Sequence, residues 1–390
     1  MKRSRFPRRA KQTPDTDLLV RLSNELAGAT SRLEDSFWED RLAKQVTRLL
    51  SEKDEQTITN ALDQLYSATD QTYGALVDVV EACAETRHSD SASSHDVILI
   101  ALPILAWSRF QIPSGPIHAD HLLSIRVQLQ AHLLAGDARL GLADFLFSPD
   151  QLPQSYVDTA NLAEKLARAA LHSRDLKIDP SVVAETISFL SDTRYLVAAV
   201  AGVRGAPLFR WQEGDLTRDE AIARWSEQGS EVLRPLLPAC AMDFLPPMAY
   251  HAALREADLA SRPYSLVSAI SFLQTVMARP AADFRAVIGA YHDKQLEEFR
   301  IGFCLRGRTE VIHGVVWPLL ENEDDGNETP NQIEAVLRTS GVVDVLILDQ
   351  RLPVEYCDDC GAPLYPSPDG ETVHAEMPDE PSEAAPRHLH

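Results

Sequence analysis

The chain has 390 residues, of which 45% are hydrophobic, and carries a formal net charge of −21 at pH 7. This length and apolar content are sufficient for two or three domains with substantial cores. The acidic balance argues against an open, nonspecific nucleic-acid surface and against binding to anionic membranes. The five cysteines are few and odd in number, and most stand alone in apolar segments, which is typical of a reducing compartment.

The sequence begins with a basic arm, in which six of the first eleven residues are Lys or Arg. No apolar stretch follows, so we expect no secretory signal. The longest apolar run, 97–107, spans eleven residues and contains Pro103, whereas a membrane-spanning helix needs roughly 20. We therefore predict a cytoplasmic protein without membrane contact. Residues 1–14 are predicted to be a disordered arm. A solvated arm, or one docked on the chain's own acidic surface, is favoured over a nucleic-acid contact, and such a contact would involve only residues 1–11.

Residues 15–88 are predicted to form a helical bundle. Leu18, Leu22 and Leu26 repeat at helical spacing, and Ser31 to Glu34 has the form of a capping box. Three further apolar patterns with short polar gaps follow, as in a small antiparallel bundle. The Ser-rich stretch 89–94 then marks a domain boundary.

Three diverged α/β units are predicted beyond this linker, so the fold class is α/β (α+β). The apolar run 97–102 is suited to a strand buried on both faces, and a similar run lies 99 residues later at 196–201. A third echo, at an offset of 200, repeats Leu152, Pro153 and Tyr156 at positions 352, 353 and 356. The predicted units are 95–195, 196–282 and 283–356. In the last unit we expect strands at 284–291, 298–305, 311–319 and 342–348, with a helix at 331–340.

The final segment, 357–390, is predicted to be an acidic, Pro-rich tail that carries a zinc knuckle. Cys357 and Cys360 are separated by two residues and followed by Gly361, which is the turn that presents two thiolates to one Zn²⁺. His374 is the expected third ligand. His388, with His390 as its substitute, is the expected fourth ligand of a structural, closed Cys₂His₂ site.

Other uses of this cysteine pair stay open. Two chains that each contribute a knuckle would form a shared Cys₄ site, and an unliganded turn is also compatible with the residues. A thiol–disulfide function is disfavoured because Asp358 and Asp359 oppose a bare thiolate. If the terminal histidines take no part, the metal is three-coordinate and Glu376 becomes a conceivable general base.

Several other polar groups have a structural interpretation beside a functional one. His118 and His121 have the spacing of two metal ligands, but Asp120 between them suits a helix N-terminus. A single helical face after Pro247 would present potential acid–base groups, or a solvated surface with charge pairs. These groups are His251, Arg255, Glu256 and Asp258. The segments 210–213 and 317–318 place Trp211 and Trp317 at expected strand ends, where they suit packing as well as ligand contacts.

The chain resembles a family of uncharacterised bacterial proteins, grouped as a domain of unknown function, over nearly its whole length. The resemblance rests on the basic start and on four segments, 104–109, 206–211, 315–319 and 357–377. A His-x-His terminus is similar in that family, which implies His388 or His390 as a ligand. The resemblance implies no reaction, substrate or partner.

These observations favour a non-catalytic cytoplasmic binding or scaffold protein with a structural zinc site. The partner, whether a protein or a small molecule, and the oligomeric state are not indicated. One alternative is an enzyme with its site in a cleft between the α/β units, using His251, Arg255 or Arg210. A second alternative is an RNA- or ribosome-associated factor that acts through the basic arm.

Overall fold

The computed structural model describes residues 13–66, 70–89, 94–186, 190–320, 323 and 328–377. Within these residues helices and strands form a mixed α+β fold, which confirms the predicted class at this coarse level. The chain divides into two compact units, Met1–Ala257 (unit 1) and Asp258–His390 (unit 2). None of the described helices has both the length and the apolar character that a membrane crossing requires.

Ten α-helices and thirteen strands are present in the part of the chain that the structure describes. The helices are α1 (Pro14–Ala27), α2 (Arg32–Glu52), α3 (Glu55–Tyr66), α4 (Asp70–Glu85), α5 (Ala119–His132), α6 (Tyr156–Leu171), α7 (Arg210–Glu213), α8 (Arg218–Arg224), α9 (Tyr250–Met277) and α10 (Glu328–Thr339). The strands are β1 (Thr86–Ser89), β2 (His95–Trp107), β3 (Gly115–Pro116), β4 (Arg139–Phe147), β5 (Ser191–Val203), β6 (Ala241–Phe244), β7 (Met248–Ala249), β8 (Phe284–His292), β9 (Leu296–Leu305), β10 (Val311–Pro318), β11 (Asp344–Pro353), β12 (Tyr365–Pro366) and β13 (Thr372–Val373).

The first four helices share one buried apolar cluster in unit 1. Its fully buried members include Leu19, Leu42, Val46, Ile58, Leu62 and Val80. Side chains of α6 complete the cluster, so these helices pack on the α/β part of the same unit. The Ser31 hydroxyl accepts a hydrogen bond from the Glu34 N–H at 3.2 Å, as the capping pattern predicts. That the helices form a bundle domain of their own stays a prediction.

Unit 1 is built around a seven-stranded sheet with the order β1-β2-β5-β4-β3, in which β6 and β7 also pair with β2. Both long apolar runs of the sequence are strands, as predicted, and they lie side by side. Strands β2 and β5 pair antiparallel over their whole length, from His95 opposite Val203 to Trp107 opposite Ser191. Side chains alternate along β2 between two apolar clusters, one packed against α5 and α8 and the other against α6 and residues 250–257.

The predicted boundary between the first two repeats, at 195/196, falls inside strand β5. The residues of β5 from 196 onward were assigned to the second repeat, and they pair with β2 and β4, which were assigned to the first. The offset of 99 residues therefore relates two neighbouring strands of one sheet. The division into three diverged repeats stays a prediction.

Unit 2 contains a four-stranded sheet with the order β10-β9-β8-β11. Strands β8, β9 and β10 are antiparallel neighbours, and β11 runs parallel to β8. Its strands and α10 lie close to the positions predicted for the last repeat. One face of the sheet buries Phe299, Ile301 and Phe303 against α10 and the part of α9 that belongs to unit 2.

The carboxylate of Glu55, at the start of α3, contacts the N-terminus of α6. The Glu55 carboxylate accepts hydrogen bonds from the backbone N–H groups of Tyr156, at 3.3 Å, and Val157, at 2.9 Å. The first N–H groups of a helix have no partner within the helix, and its N-terminus favours negative charge. Glu55 therefore both caps α6 and ties α3 to the sheet layer.

Replacing Glu55 by Ala should lower the free energy of unfolding by about 1–2 kcal/mol, because the N–H groups of Tyr156 and Val157 lose their acceptor while the Ser155 cap remains. Chemical denaturation followed by circular dichroism measures this loss. Glu25→Ala is the matched control, since Glu25 is an exposed acidic residue on α1; its effect should stay within about 0.5 kcal/mol. Equal effects of the two substitutions would contradict a capping role.

Candidate metal centre

Three positions on one face of the unit 2 sheet carry no side chain because they are glycines. Gly289, Gly302 and Gly314 lie on the neighbouring strands β8, β9 and β10, and Gly302 pairs directly with Gly314. Residues 352–377, here called the cover segment, contact this face through Leu352, Tyr365 and Pro366. A Cβ atom at Gly302 would clash with the carbonyl oxygen of Pro366, and one at Gly314 would clash with the Tyr365 ring. Only glycine allows the cover segment to approach the sheet so closely.

Arg300 holds the cover segment from within the sheet. Its side chain, on β9, is 0% exposed. One guanidinium nitrogen, Nη1, donates to the carbonyl oxygens of Glu355 at 2.6 Å and Leu364 at 2.8 Å, while Nε donates to the Glu298 carboxylate at 2.7 Å. The two carbonyls belong to residues on either side of the cysteine turn. Arg300 therefore fixes the base of that turn.

The cysteine turn is closed by backbone hydrogen bonds. The Cys357 N–H donates to the Ala362 carbonyl at 2.7 Å, and the Gly361 N–H donates to the Cys357 carbonyl at 2.8 Å. Gly361 has a φ of +71°, in the left-handed region that favours glycine. This explains the glycine directly after Cys360 in the sequence. The turn places both thiols on the same side.

His374 joins the two cysteines, as predicted from the sequence. One ligand atom from each of Cys357, Cys360 and His374 lies within 4.8 Å of the other two, and the Cys360 Sγ is 3.2 Å from the His374 Nε2. In a tetrahedral zinc site, bond lengths of about 2.0–2.3 Å place neighbouring ligand atoms about 3.5–3.8 Å apart. The three side chains can therefore hold a metal ion together.

A two-strand pairing brings His374 to the turn. Strand β12 lies on the glycine face, and β13 pairs with it antiparallel, with Tyr365 opposite Val373. His374 directly follows β13 and its side chain is 37% exposed. The cover segment thus has two arms that carry ligands. The cysteine turn carries Cys357 and Cys360, and strand β13 leads to His374.

The protein environment favours the thiolate form of Cys357. Backbone N–H groups of Cys360, the larger contribution, and of Asp359 donate to its sulfur and lower the pKa of the thiol. The negative charge of Asp359 acts in the opposite direction but is outweighed. Asp359 therefore opposes the thiolate, as expected from the sequence, but the backbone donors, which were not visible in the sequence, outweigh its charge. Metal binding requires this thiolate.

Glu376 lies beside the imidazole on the side away from the cysteines. Its carboxylate oxygen is 3.9 Å from the His374 Nδ1, while the opposite nitrogen, Nε2, faces Cys360. A separation of 3.9 Å exceeds that of a hydrogen bond, and the Glu376 side chain is 84% exposed. The general-base role considered for Glu376 stays a prediction.

A surface cavity of about 630 Å³ adjoins the cluster. The connection between β9 and β10 forms one wall and the cover segment forms the other, including His374 and Glu376. Its volume lies within the range of small-molecule sites, about 300–1,000 Å³. His388 and His390 lie outside the described residues, so the predicted fourth ligand has no position here.

Three of the other sequence candidates make structural contacts. The His118 ring accepts a hydrogen bond from the Asp120 N–H at 3.4 Å, at the start of α5. Arg255 forms an ion pair with Glu81. Trp317 is buried in the apolar core of unit 2. Within the described residues, the Cys357, Cys360 and His374 group is the one Cys, His or acidic cluster with metal-binding geometry.

The His251 backbone N–H donates to the Glu85 carboxylate at 3.0 Å, near the start of α9. Burial raises the pKa of Glu85 to about 7 and lowers the pKa of His251 to about 4. Near pH 7 the Glu85 carboxyl is therefore about half protonated, whereas His251 is neutral. The carboxylate of Glu85 plays the same capping role for α9 that Glu55 plays for α6.

The fold and the cluster together define an α+β protein with a Cys₂His group suited to one metal ion. The chain matches the model of the family described as "Protein of unknown function (DUF2863)" over residues 4–388 and belongs to that family. The resemblance to an uncharacterised family is thereby confirmed. No curated protein and no solved structure matches the chain.

Replacing Gly302 by Ala should loosen the cover segment, because the new methyl group meets the Pro366 carbonyl. We expect faster proteolysis within residues 352–377 and a loss of about 1–3 kcal/mol in the free energy of unfolding. Gly74→Ala is the control, since Gly74 lies in α4 with nothing within 4 Å of an added Cβ, and it should be neutral or stabilising. Unchanged proteolysis of the Gly302 variant would contradict this packing.

Replacing Glu85 by Gln should stabilise the protein more at pH 8 than at pH 5. The folded-state pKa of about 7 exceeds the ordinary value of 4.5, so the native state holds the proton more tightly and stability falls as pH rises between these values. The variant lacks this penalty, and its advantage at pH 8 over pH 5 should be about 1–3 kcal/mol. The opposite pH dependence from His251 is common to both proteins and cancels in the difference. A pH-independent difference in unfolding free energy would refute the assignment.

Proposed function

We propose that this is a non-catalytic cytoplasmic binding or scaffold protein whose cover segment is held by a structural Zn²⁺ ion. The observation that carries the proposal is the convergence of Cys357, Cys360 and His374 on one point. Zinc suits two thiolates and an imidazole, whereas Mg²⁺ and Ca²⁺ prefer oxygen ligands. His388, or His390 in its place, supplies the fourth ligand in this proposal.

The chemistry of the ligands supports zinc in a structural role. Two thiolates balance the two charges of Zn²⁺, and neutral His374 adds none, so the centre requires no further counter-ion. The cover segment is rich in Pro and Gly and contains no helix. Such a segment buries little apolar surface of its own, and a metal that crosslinks its two arms would supply the missing stability.

The non-catalytic part of the proposal draws on the contacts of the candidate acid–base groups. Arg255 pairs with Glu81, and the backbone of His251 is capped by Glu85. These contacts account for both residues as parts of the packing between α4 and α9. The binding part draws on the cavity beside His374, which the zinc-held cover segment would shape. The cysteine usage of the chain supports the cytoplasmic location.

Elemental analysis tests the zinc centre directly. The purified wild-type protein should contain one zinc per chain, and the Cys357→Ser, Cys360→Ser double variant should contain none. Cys240→Ser is the matched control, because Cys240 is a half-buried cysteine of unit 1 outside the cluster. Zinc absent from the wild-type protein, or retained by the double variant, would overturn the proposal.

Removal of zinc with a chelator should also increase proteolysis within residues 352–377, while α1–α4 stay protected. Cadmium, which binds thiolates, should restore the protection, and magnesium should not. Mass spectrometry of the fragments locates the cleavage sites. Equal protection with and without the metal would limit zinc to a minor role in holding the cover segment.

A further inference from the structure

We propose that Arg300 is a positioning residue for the metal centre, which holds the cysteine turn in register with His374. This inference rests on the proposed zinc site. Arg300 touches no ligand atom in the described contacts; it acts on the backbone that carries Cys357 and Cys360. Neither its place in the sequence nor the ligand pattern of the cysteines indicates such a role.

The hydrogen bonds of Arg300 reach both ends of the turn. Glu355 precedes Cys357 by two residues, and Leu364 follows Cys360 by four. A single nitrogen, Nη1, donates to the carbonyls of both residues, which are also linked by the Leu364 N–H to Glu355 carbonyl hydrogen bond at 3.2 Å. The guanidinium therefore joins the two sides of the turn at the point where the turn contacts the sheet.

The guanidinium itself is held in one orientation. The Glu298 carboxylate accepts from Nε, and the carbon at the centre of the guanidinium lies 4.4 Å from the Tyr291 ring centroid and 5.1 Å from that of Tyr356. A buried arginine with a carboxylate partner and aromatic neighbours has few alternative positions. Because Tyr356 directly precedes Cys357, the same packing extends to the first ligand.

Strand β9 contacts both arms of the cover segment that carry the metal ligands. Arg300 and Gly302 are two residues apart on β9 and therefore point to the same face of the sheet. Arg300 anchors the arm that carries the cysteines, whereas Gly302 seats Pro366 of β12, which pairs with the strand leading to His374. Strand β9 thus sets the distance between the two cysteines and the histidine before a metal binds.

Substitution of Arg300 by Lys tests this role. Lysine keeps the positive charge beside Glu298 but lacks the fork that reaches two carbonyls and a carboxylate together. We expect a loss of zinc affinity of about 10–100-fold, measured by competition with a chromophoric chelator. Arg285→Lys is the matched control, because Arg285 points to the same face from β8 and pairs with Asp344 instead of the cover segment; it should change the affinity less than about threefold.

A second measurement separates this inference from the zinc proposal. In metal-free protein, hydrogen exchange of the peptide 353–366 should be faster in the Arg300→Lys variant than in the wild type, because the turn loses its base. Equal exchange, or equal zinc affinity of wild type and variant, would overturn the positioning role while leaving the zinc proposal intact. A wild type that binds no zinc would refute the zinc proposal, and the exchange measurement would still decide the role of Arg300 in ordering the turn.

Discussion

The close approach of the cover segment to the glycine face of the unit 2 sheet is the constraint on which the candidate metal centre depends. The cysteine turn and the histidine lie in separate parts of a segment with little regular structure. They meet because the backbone around Tyr365 and Pro366 lies directly on β8, β9 and β10, each of which has a glycine at the point of contact. A larger residue at these positions would lift the segment away from the sheet, and both arms would move with it.

The two faces of this sheet are stabilised by different physical interactions. The helix-covered face is apolar, with Phe299, Ile301 and Phe303 packed against helices, so burial of hydrocarbon is its main stabilising term. The opposite face carries glycines and the buried pair of Arg300 and Glu298. There the Arg300 guanidinium donates hydrogen bonds to two backbone carbonyls of the cover segment, and the glycines allow the segment to lie close to the sheet. Hydrogen bonds from a charged group are directional, so they restrict the position of the segment more than apolar packing does.

The sequence indicates those parts of the structure that depend on local pattern. Continuous apolar runs predict β2 and β5, and the Cys-x₂-Cys-Gly pattern predicts a turn because Gly361 must adopt a positive φ. His374 was named as a ligand from its residue type and distance along the chain, and the structure brings it to the cysteines. Local patterns are sufficient in these cases because few residues determine the outcome.

The remaining features depend on contacts between distant residues. Arg300 stands between Phe299 and Ile301, where alternation in a strand suggests a solvent-facing charge; only the return of residues 355–364 buries it. Similarly, the role of the glycines in β8 to β10 becomes clear only from the packing of Pro366 and Tyr365 against them. The offset of 99 residues also suggested separate units, whereas antiparallel pairing joins β2 and β5 within one sheet. A charge or a glycine in a strand acquires its role from its partner across the fold.

The same dependence explains why a metal suits this position in the chain. A segment of Pro, Gly and acidic residues cannot form a second apolar core on the glycine face, since its larger apolar side chains, such as Leu352 and Tyr365, are few. Interactions that involve few atoms can then hold the segment in place. One is the guanidinium that donates to two carbonyls, and the other is a set of three ligand atoms that can hold one ion. Arg300 and the metal ligands act on the same short turn from opposite ends, the first at its base and the second at its tip. Ordering of the base reduces the conformational freedom that metal binding must remove, so a bound ion would stabilise the cover segment cooperatively with the sheet.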